Sequence, residues 1–329
     1  MKKLIALLCA TAMLLCLVTA CEKGGGSDTS SGTFSNNTYT PIKRAEIKYE
    51  KIGEASTKPK NTYKSGDVKE ISVSVSGADE NKTISLQVGK KAALSYTLIP
   101  AKPAITAVYW ESSNEAIVKV DKDGQILGMM PGSATVTCET VLGFTDTVTV
   151  YVYEYAGNDE LSNKLLTLLN DARVKELSAN GAASDKTASD KADKKAADKT
   201  ASGYSSAEQA DPNAAYKLKT GNVALQYAVN QRVYEEACEG SMNTTRPNFY
   251  GAGDDRQHTT ILADYNIWTR ASTCLNGVWG EYTAEQVAEI LLSDESSKSM
   301  IMSNTYEYMS VGCYKNGEVT YWLVMMILT

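Results

Sequence analysis

The apolar residues of this chain change their period near residue 160, and that change limits the fold more than any other feature. Before it they alternate: Ile71-Val73-Val75, Ile84-Leu86-Val88, Leu94-Tyr96-Leu98, Ala134-Val136-Cys138 and Val148-Val150-Val152. Alternation marks strands, because successive side chains of a strand face opposite ways. After it, Leu161, Leu165, Leu168, Leu169 and Ala172 recur every three to four residues, which is the stripe of an amphipathic helix. One chain therefore has to build an all-β unit and then a unit containing helices. Its 329 residues are enough for both.

The β unit is punctuated as a sandwich would be. Asp123-Gly124 suits a tight hairpin, since glycine accepts positive φ. Pro131-Gly132 suits a type II turn, with proline presetting φ and glycine taking the left-handed position. Many short strands with such turns predict a β-sandwich. Its segments Leu86-Gln87-Val88-Gly89-Lys90, Trp110-Glu111-Ser112-Ser113-Asn114, Val118-Lys119-Val120-Asp121, Gly124-Gln125-Ile126 and Gly132-Ser133-Ala134-Thr135-Val136 resemble the group 2 bacterial immunoglobulin-like domain over residues 68–155. The resemblance implies an immunoglobulin-like sandwich with Trp110 in its core, used as a spacer or adhesive module. Cys138 shares a face with Ala134 and Val136 and reads as a small buried hydrophobe.

The second unit is interrupted. Residues 183–202 are nearly all Ala, Ser, Thr, Asp and Lys, with no large apolar side chain to dock on a core. This low-complexity stretch is expected to be a solvated insertion, the whole interruption spanning residues 176–214. A helix is expected over 222–239, and another after Thr283-Ala284-Glu285-Gln286, whose ends suit a capping box. Met309 to Tyr314 and Val319 to Met326 read as strands around the hairpin signal Asn316-Gly317. This unit resembles the CAP superfamily, the cysteine-rich secretory, antigen 5 and pathogenesis-related proteins, over residues 160–329. The resemblance rests on Asn170 with Arg173, Leu225-Gln226, Ala228, Arg232 to Glu235, Thr245-Arg246-Pro247-Asn248, Thr283 to Val287, Val311-Gly312 and Tyr321-Trp322. It implies an α+β fold, an α-β-α sandwich with a cleft across one face. Thr244, Arg246, His258, Asn276 and Ser297 are its candidate cleft residues. The two family histidines fall on Thr244 and Ser297, and the family glutamate before Asn276 falls on Leu275.

At the other end, Met1-Lys2-Lys3 precedes an apolar run from Leu4 to Ala20, the pattern of a signal peptide. Val18-Thr19-Ala20-Cys21 resembles a bacterial lipobox, which implies cleavage after residue 20 and lipidation of Cys21. Cys9 and Cys16 follow leucines, too large for the small subsite before the cut. Gly24-Gly25-Gly26-Ser27 and the polar residues beyond it predict a linker of low order over residues 21–67. The expected location is extracytoplasmic, with the membrane as partner through Cys21.

Chemistry is scarce. A single histidine removes every site that needs two imidazoles. The charge of −6, from 33 basic and 39 acidic residues, argues against a nucleic-acid partner. No serine stands in a Gly-x-Ser-x-Gly elbow. Glu235-Glu236 and Glu295 read as solvated helix faces. Among Cys238, Cys274 and Cys313 the preferred disulfide is Cys274 with Cys313, buried thiols being the equal alternative. Tyr250, Tyr265, Trp268, Trp279, Tyr282, Tyr306 and Tyr308 read either as ordinary packing or as a platform for a glycan or peptide. No cofactor and no metal is expected. The leading expectation is a non-catalytic surface lipoprotein whose immunoglobulin-like module spaces a CAP-like module that binds a glycan, peptide or lipid. The rivals are an extracytoplasmic hydrolase using His258 with a nearby acid, and a structural envelope protein.

Overall fold

The computed structural model describes residues 41–58, 72–99, 107–184, 211, 213–240, 245–250, 257 and 259–329. Cys21, the apolar run before it and most of the low-complexity stretch lie outside these residues.

Among the described residues the alternating half forms nine strands: β1 (Ser72–Ser76), β2 (Thr83–Gln87), β3 (Lys91–Ala93), β4 (Ser95–Ile99), β5 (Val108–Ser112), β6 (Val118–Val120), β7 (Gln125–Gly128), β8 (Gly132–Thr140) and β9 (Thr145–Tyr153). They make a sheet of order β2-β9-β8-β5, a sheet of order β3-β7-β6 and the pair β1-β4. The inward residues of the alternating runs, among them Leu86, Ile126, Val136, Cys138, Val148 and Val150, close one core around Trp110. Gly124 makes the β6–β7 turn at φ 78°. A Cβ there would meet the Leu94 carbonyl at 2.7 Å and the Trp110 ring at 3.1 Å. One Asp121 oxygen accepts the N–H groups of Asp123 and Gln125 across the same turn, at 3.0 and 2.8 Å.

The second half holds the helices α1 (Asp159–Ser184), α2 (Val223–Glu239), α3 (Thr260–Asp264), α4 (Ala284–Ser293) and α5 (Glu295–Ile301). Its strands are β10 (Ala271–Gly280), β11 (Tyr308–Asn316) and β12 (Val319–Leu328), antiparallel in the order β10-β12-β11. Helices cover both faces of this sheet. Leu165 and Leu169 of α1 and Val287 and Leu291 of α4 pack on Trp322, Val324 and Met326. Leu225, Val229 and Val233 of α2 and Ile261 of α3 pack on Tyr321, Leu323, Met325 and Ile327. β12 is buried on both faces, and so it reads as an unbroken apolar run rather than an alternation. The capping box of α4 is present: the Thr283 hydroxyl accepts from Gln286 N, and the Gln286 side chain accepts from Thr283 N.

Asn170 and Arg173 tie α1 to the main chain at residues 216–218 and 301–303. Asn170 exchanges two bonds with the main chain of Leu218, at 3.0 and 3.2 Å. Arg173 donates to the carbonyls of Tyr216, Ile301 and Ser303. The interruption expected over 176–214 opens as helix, because α1 continues to Ser184.

The linker expectation over 21–67 is corrected for residues 41–58. Residues 41–58 run extended along both halves as a strap. Ile42 N donates to Ala237 O of α2 at 3.1 Å, and Glu50 N to Gly89 O at 2.8 Å. Gly53 N donates to the second Asp121 oxygen at 2.6 Å, and the Ser56 hydroxyl accepts from Trp110 N at 3.0 Å. A strap held by main-chain bonds needs no apolar period, so its sequence resembles that of a linker.

The two halves are joined by tyrosines. The Tyr227 ring of α2 stacks on Tyr151 and Tyr153 of β9, with centroids 5.4 and 5.6 Å apart, and its hydroxyl meets the Ser85 hydroxyl at 2.5 Å. Tyr155, just beyond β9, stacks on Tyr234 and meets Tyr314 edge-on. The Tyr155 hydroxyl donates to Cys313 O at 2.8 Å, and the Tyr265 hydroxyl to Val152 O at 2.9 Å. The excess of 19 Tyr over 3 Phe thus has a structural use here: an aromatic body fills the junction while its hydroxyl satisfies a carbonyl that the junction has covered.

Candidate functional site

A buried polar cluster lies where α2, α3 and the turn at residues 245–250 meet. α2 is sandwiched between the sheet and the β half, and every residue from Ala228 to Ala237 is buried. Its charges must therefore be paired inside. Arg246 forks onto Glu235, Nε to Oε2 at 3.0 Å and Nη2 to Oε1 at 2.7 Å. Its Nη1 reaches Asp264 Oδ2 at 2.7 Å and the Thr260 hydroxyl at 3.2 Å. Arg232, fully buried, lies 3.2 Å from Glu236 and 3.5 Å from Glu235 and donates to Thr245 O. Burial works against the Arg246 charge, but Glu235 and Asp264 hold its pKa above the ordinary value. Burial pushes the Glu236 carboxyl up to about 8, against Arg232 and with help from Glu235 and Glu239. Its Oε2 has no hydrogen-bond partner among the described residues.

The reading of Glu235-Glu236 as a solvated face is therefore corrected: both are buried. The signal was present in Arg232, placed three and four residues before them, the spacing at which helical side chains meet. What hid it was the assumption that the outer face of α2 meets water.

Among the described candidate cleft residues, Arg246 and Ser297 lie on opposite sides of the sheet. Arg246 belongs to the network on the α2 side of the sheet. Ser297 is buried on α5, where its N–H bonds the Asp294 cap at 2.8 Å. α5 packs through Ile301 into the opposite core, together with Leu275. Asn276 lies at the register shift of β10 between Leu275 and Val278. Thr244 and His258 lie outside the described residues. Tyr265, Trp279 and Tyr306 of the aromatic set are core residues, whereas Trp268 is 87% exposed.

The preferred disulfide is also corrected. Cys274 and Cys313 are free thiols. β12 separates their strands, Cys274 pairing with Met325 and Cys313 with Trp322. Cys274 faces the α2 core and Cys313 the α1 core. Two strand spacings of about 4.8 Å put the Cα atoms beyond disulfide reach. Burial raises both thiols, Cys313 to about 12, so neither is a thiolate near neutral pH.

Among the described residues no group of three His, Cys, Asp or Glu is placed to hold a metal. A hollow of about 300 Å³ opens where the strap crosses the junction, lined by Arg44, Tyr49, Phe249 and Tyr250. Arg44 fills its floor. The guanidinium lies over both the Phe249 and Tyr250 rings, at 4.7 and 4.5 Å, and forks onto Glu154 at 2.5 and 3.0 Å. The Tyr250 hydroxyl donates to the same carboxylate at 2.7 Å. These groups satisfy one another and fasten the strap.

Residues 67–150 match the family of bacterial Ig-like domains, group 2. A stretch of 71 residues is 32% identical to a 3-O-alpha-D-galactosyl-alpha-L-arabinofuranosidase of Bifidobacterium longum subsp. longum, covering 22% of this chain and 6% of that protein. Among solved structures, domains 4 and 5 of the S-layer protein SbsC match with a TM-score of 0.21 at 18% identity, over 25% of this chain and 50% of that one. An intimin mutant from EHEC O157:H7 matches with a TM-score of 0.19 at 16% identity, over 25% and 46%.

Proposed function

We propose that this chain is a non-catalytic cell-surface lipoprotein in which the immunoglobulin-like module and strap hold a CAP-like module rigidly outward to bind a ligand. The observation that carries the reading is the junction. Stacked tyrosines, covered carbonyls and the Arg44–Glu154 fork join the two modules without a free linker between them. That construction suits presentation of a surface at a fixed angle. A spacer of this kind acts as a buttress rather than a flexible stalk.

Three further points support the reading. The match to bacterial Ig-like domains fits a protein outside the cytoplasm. Helices on both faces of the sheet agree with the layering that a CAP-like module would have. Against catalysis, the position of the family glutamate is Leu275, a core residue, and the one histidine leaves no imidazole pair. The anchor in this reading is lipid on Cys21, supported by the small Ala20 before it and the apolar run from Leu4 to Ala20. Two or more acyl chains hold a protein stably on a bilayer.

The experiment is fractionation of cells expressing Cys21→Ala. The variant is expected to accumulate as unprocessed precursor or to leave the membrane fraction. Normal processing with full membrane retention would end the lipoprotein reading.

A further inference from the structure

Tryptophan gains much from burial, and three of the four tryptophans here, Trp110, Trp279 and Trp322, are buried. Trp268 stands almost wholly in solvent, on the turn between α3 and β10. That turn is held by both modules. Before the indole, the Tyr265 hydroxyl donates to Val152 O at 2.9 Å. Asn266 Nδ2 donates to the carbonyl and the hydroxyl of Ser133, at 2.8 and 3.0 Å. Asn266 sits at φ 54°, a left-handed conformation that side-chain-bearing residues keep where their surroundings over-determine it. Ile267 N donates to Leu262 O at 2.8 Å. After the indole, the Thr269 hydroxyl accepts from Ala271 N at 3.1 Å, and Arg270 N donates to Leu328 O at 2.8 Å. The ring is therefore displayed on a backbone pinned on both sides. A ring set in place beforehand loses little freedom when a ligand lands on it.

We propose that Trp268 is the stacking platform of a glycan-binding site that takes a pyranose ring on the face of its indole. Area and neighbours decide the occupant. One tryptophan offers about 150–250 Å². A specific protein interface needs roughly 1,000 Å². Among the described residues, the other exposed large apolar side chains, Tyr49, Tyr96, Phe144 and Val223, stand on other elements. The turn thus offers a single ring rather than an apolar patch of the size that a second copy or a bilayer would cover. A sugar needs one aromatic face, because its weakly positive C–H groups meet the negative face of the ring. Its hydroxyls need polar neighbours, and exposed Asn266 and Arg270 flank the indole in sequence. This site rests on the reading that the second module binds a ligand, and it places that ligand on the turn rather than in the cleft.

The test is affinity electrophoresis in native gels, each containing one soluble polysaccharide: mannan, xylan, arabinogalactan or β-glucan. Wild type is compared with Trp268→Ala and Trp268→Phe, whose folds are checked by circular dichroism. Wild type is expected to be retarded in at least one gel. The alanine variant should bind about tenfold more weakly or not at all, and the phenylalanine variant should keep part of the retardation. The retarding polysaccharide should also shield wild-type tryptophan fluorescence from acrylamide. Retardation of the alanine variant equal to wild type would overturn the site while leaving ligand binding by the module standing. No retardation in any gel would overturn the glycan assignment. Trp268-dependent sedimentation with phosphatidylglycerol vesicles, or a Trp268-dependent dimer, would replace the glycan with a bilayer or a second copy.

Discussion

Arg246→Ala is expected to cost about 3–5 kcal/mol of unfolding free energy, the usual loss when one partner of a buried ion pair is removed. The guanidinium forks onto Glu235 and reaches Asp264. Without it, among the described residues Glu235 keeps a 3.5 Å contact with Arg232, in a part of the helix that is buried throughout. The desolvation already incurred by the carboxylates is then no longer offset. Arg246→Lys should lose less, since it restores the charge but not the two-pronged geometry. Urea unfolding followed by far-ultraviolet circular dichroism measures both variants. A loss below about 1 kcal/mol for the alanine variant would mean that the pair is solvated, as exposed pairs are.

The second large effect is a dependence on pH. The Glu236 carboxyl titrates near 8 in the folded chain against an ordinary 4.5. Between those values the folded state holds a proton that the unfolded state has released, so stability falls as pH rises through the window. Below about 4.5 both states are protonated and burial of this group costs little. Above 8 both are ionised and the cost is present in full. A tenfold change in proton affinity corresponds to about 1.4 kcal/mol, so the window is worth several kcal/mol at most. The groups facing Glu236 are Arg232, Glu235 and Glu239 on its own helix and Cys274 on β10. Glu236→Gln should be more stable than wild type at pH 8 and close to it at pH 5. Parallel pH profiles for the two proteins, measured by urea unfolding, would contradict this account.

These two predictions fall on residues that the sequence pattern misjudged, and the reason is physical. Periodicity reports which face of an element is apolar, and that sufficed for β8, β9, α1 and the capping box at Thr283. It does not report what covers the other face. α2 carries Arg232, Glu235 and Glu236 on a surface that would be solvated in an isolated module, but the β half and the turn carrying Arg246 lie over it. The strap failed to show for a related reason. Its bonds run to Gly89, Asp121, Glu154 and Ala237, distant in sequence, and use main-chain groups or single charges. The group 2 immunoglobulin-like pattern was legible because it is a series of short ordered side-chain segments, and residues 67–150 match that family. Of the candidate cleft, Arg246 entered a buried polar cluster, and it pairs there with Glu235 and Asp264 as structure.

The central claim is that strap, immunoglobulin-like module and helical module form one body. Differential scanning calorimetry tests it most directly. A single transition is expected, with calorimetric and van't Hoff enthalpies equal, as for one cooperative unit. The double variant Tyr227→Ser with Tyr265→Ser, which removes stacking on β9 and the bond to Val152, should split it into two. Two separable transitions in the wild-type protein would contradict the account, because they would show modules that fold without each other.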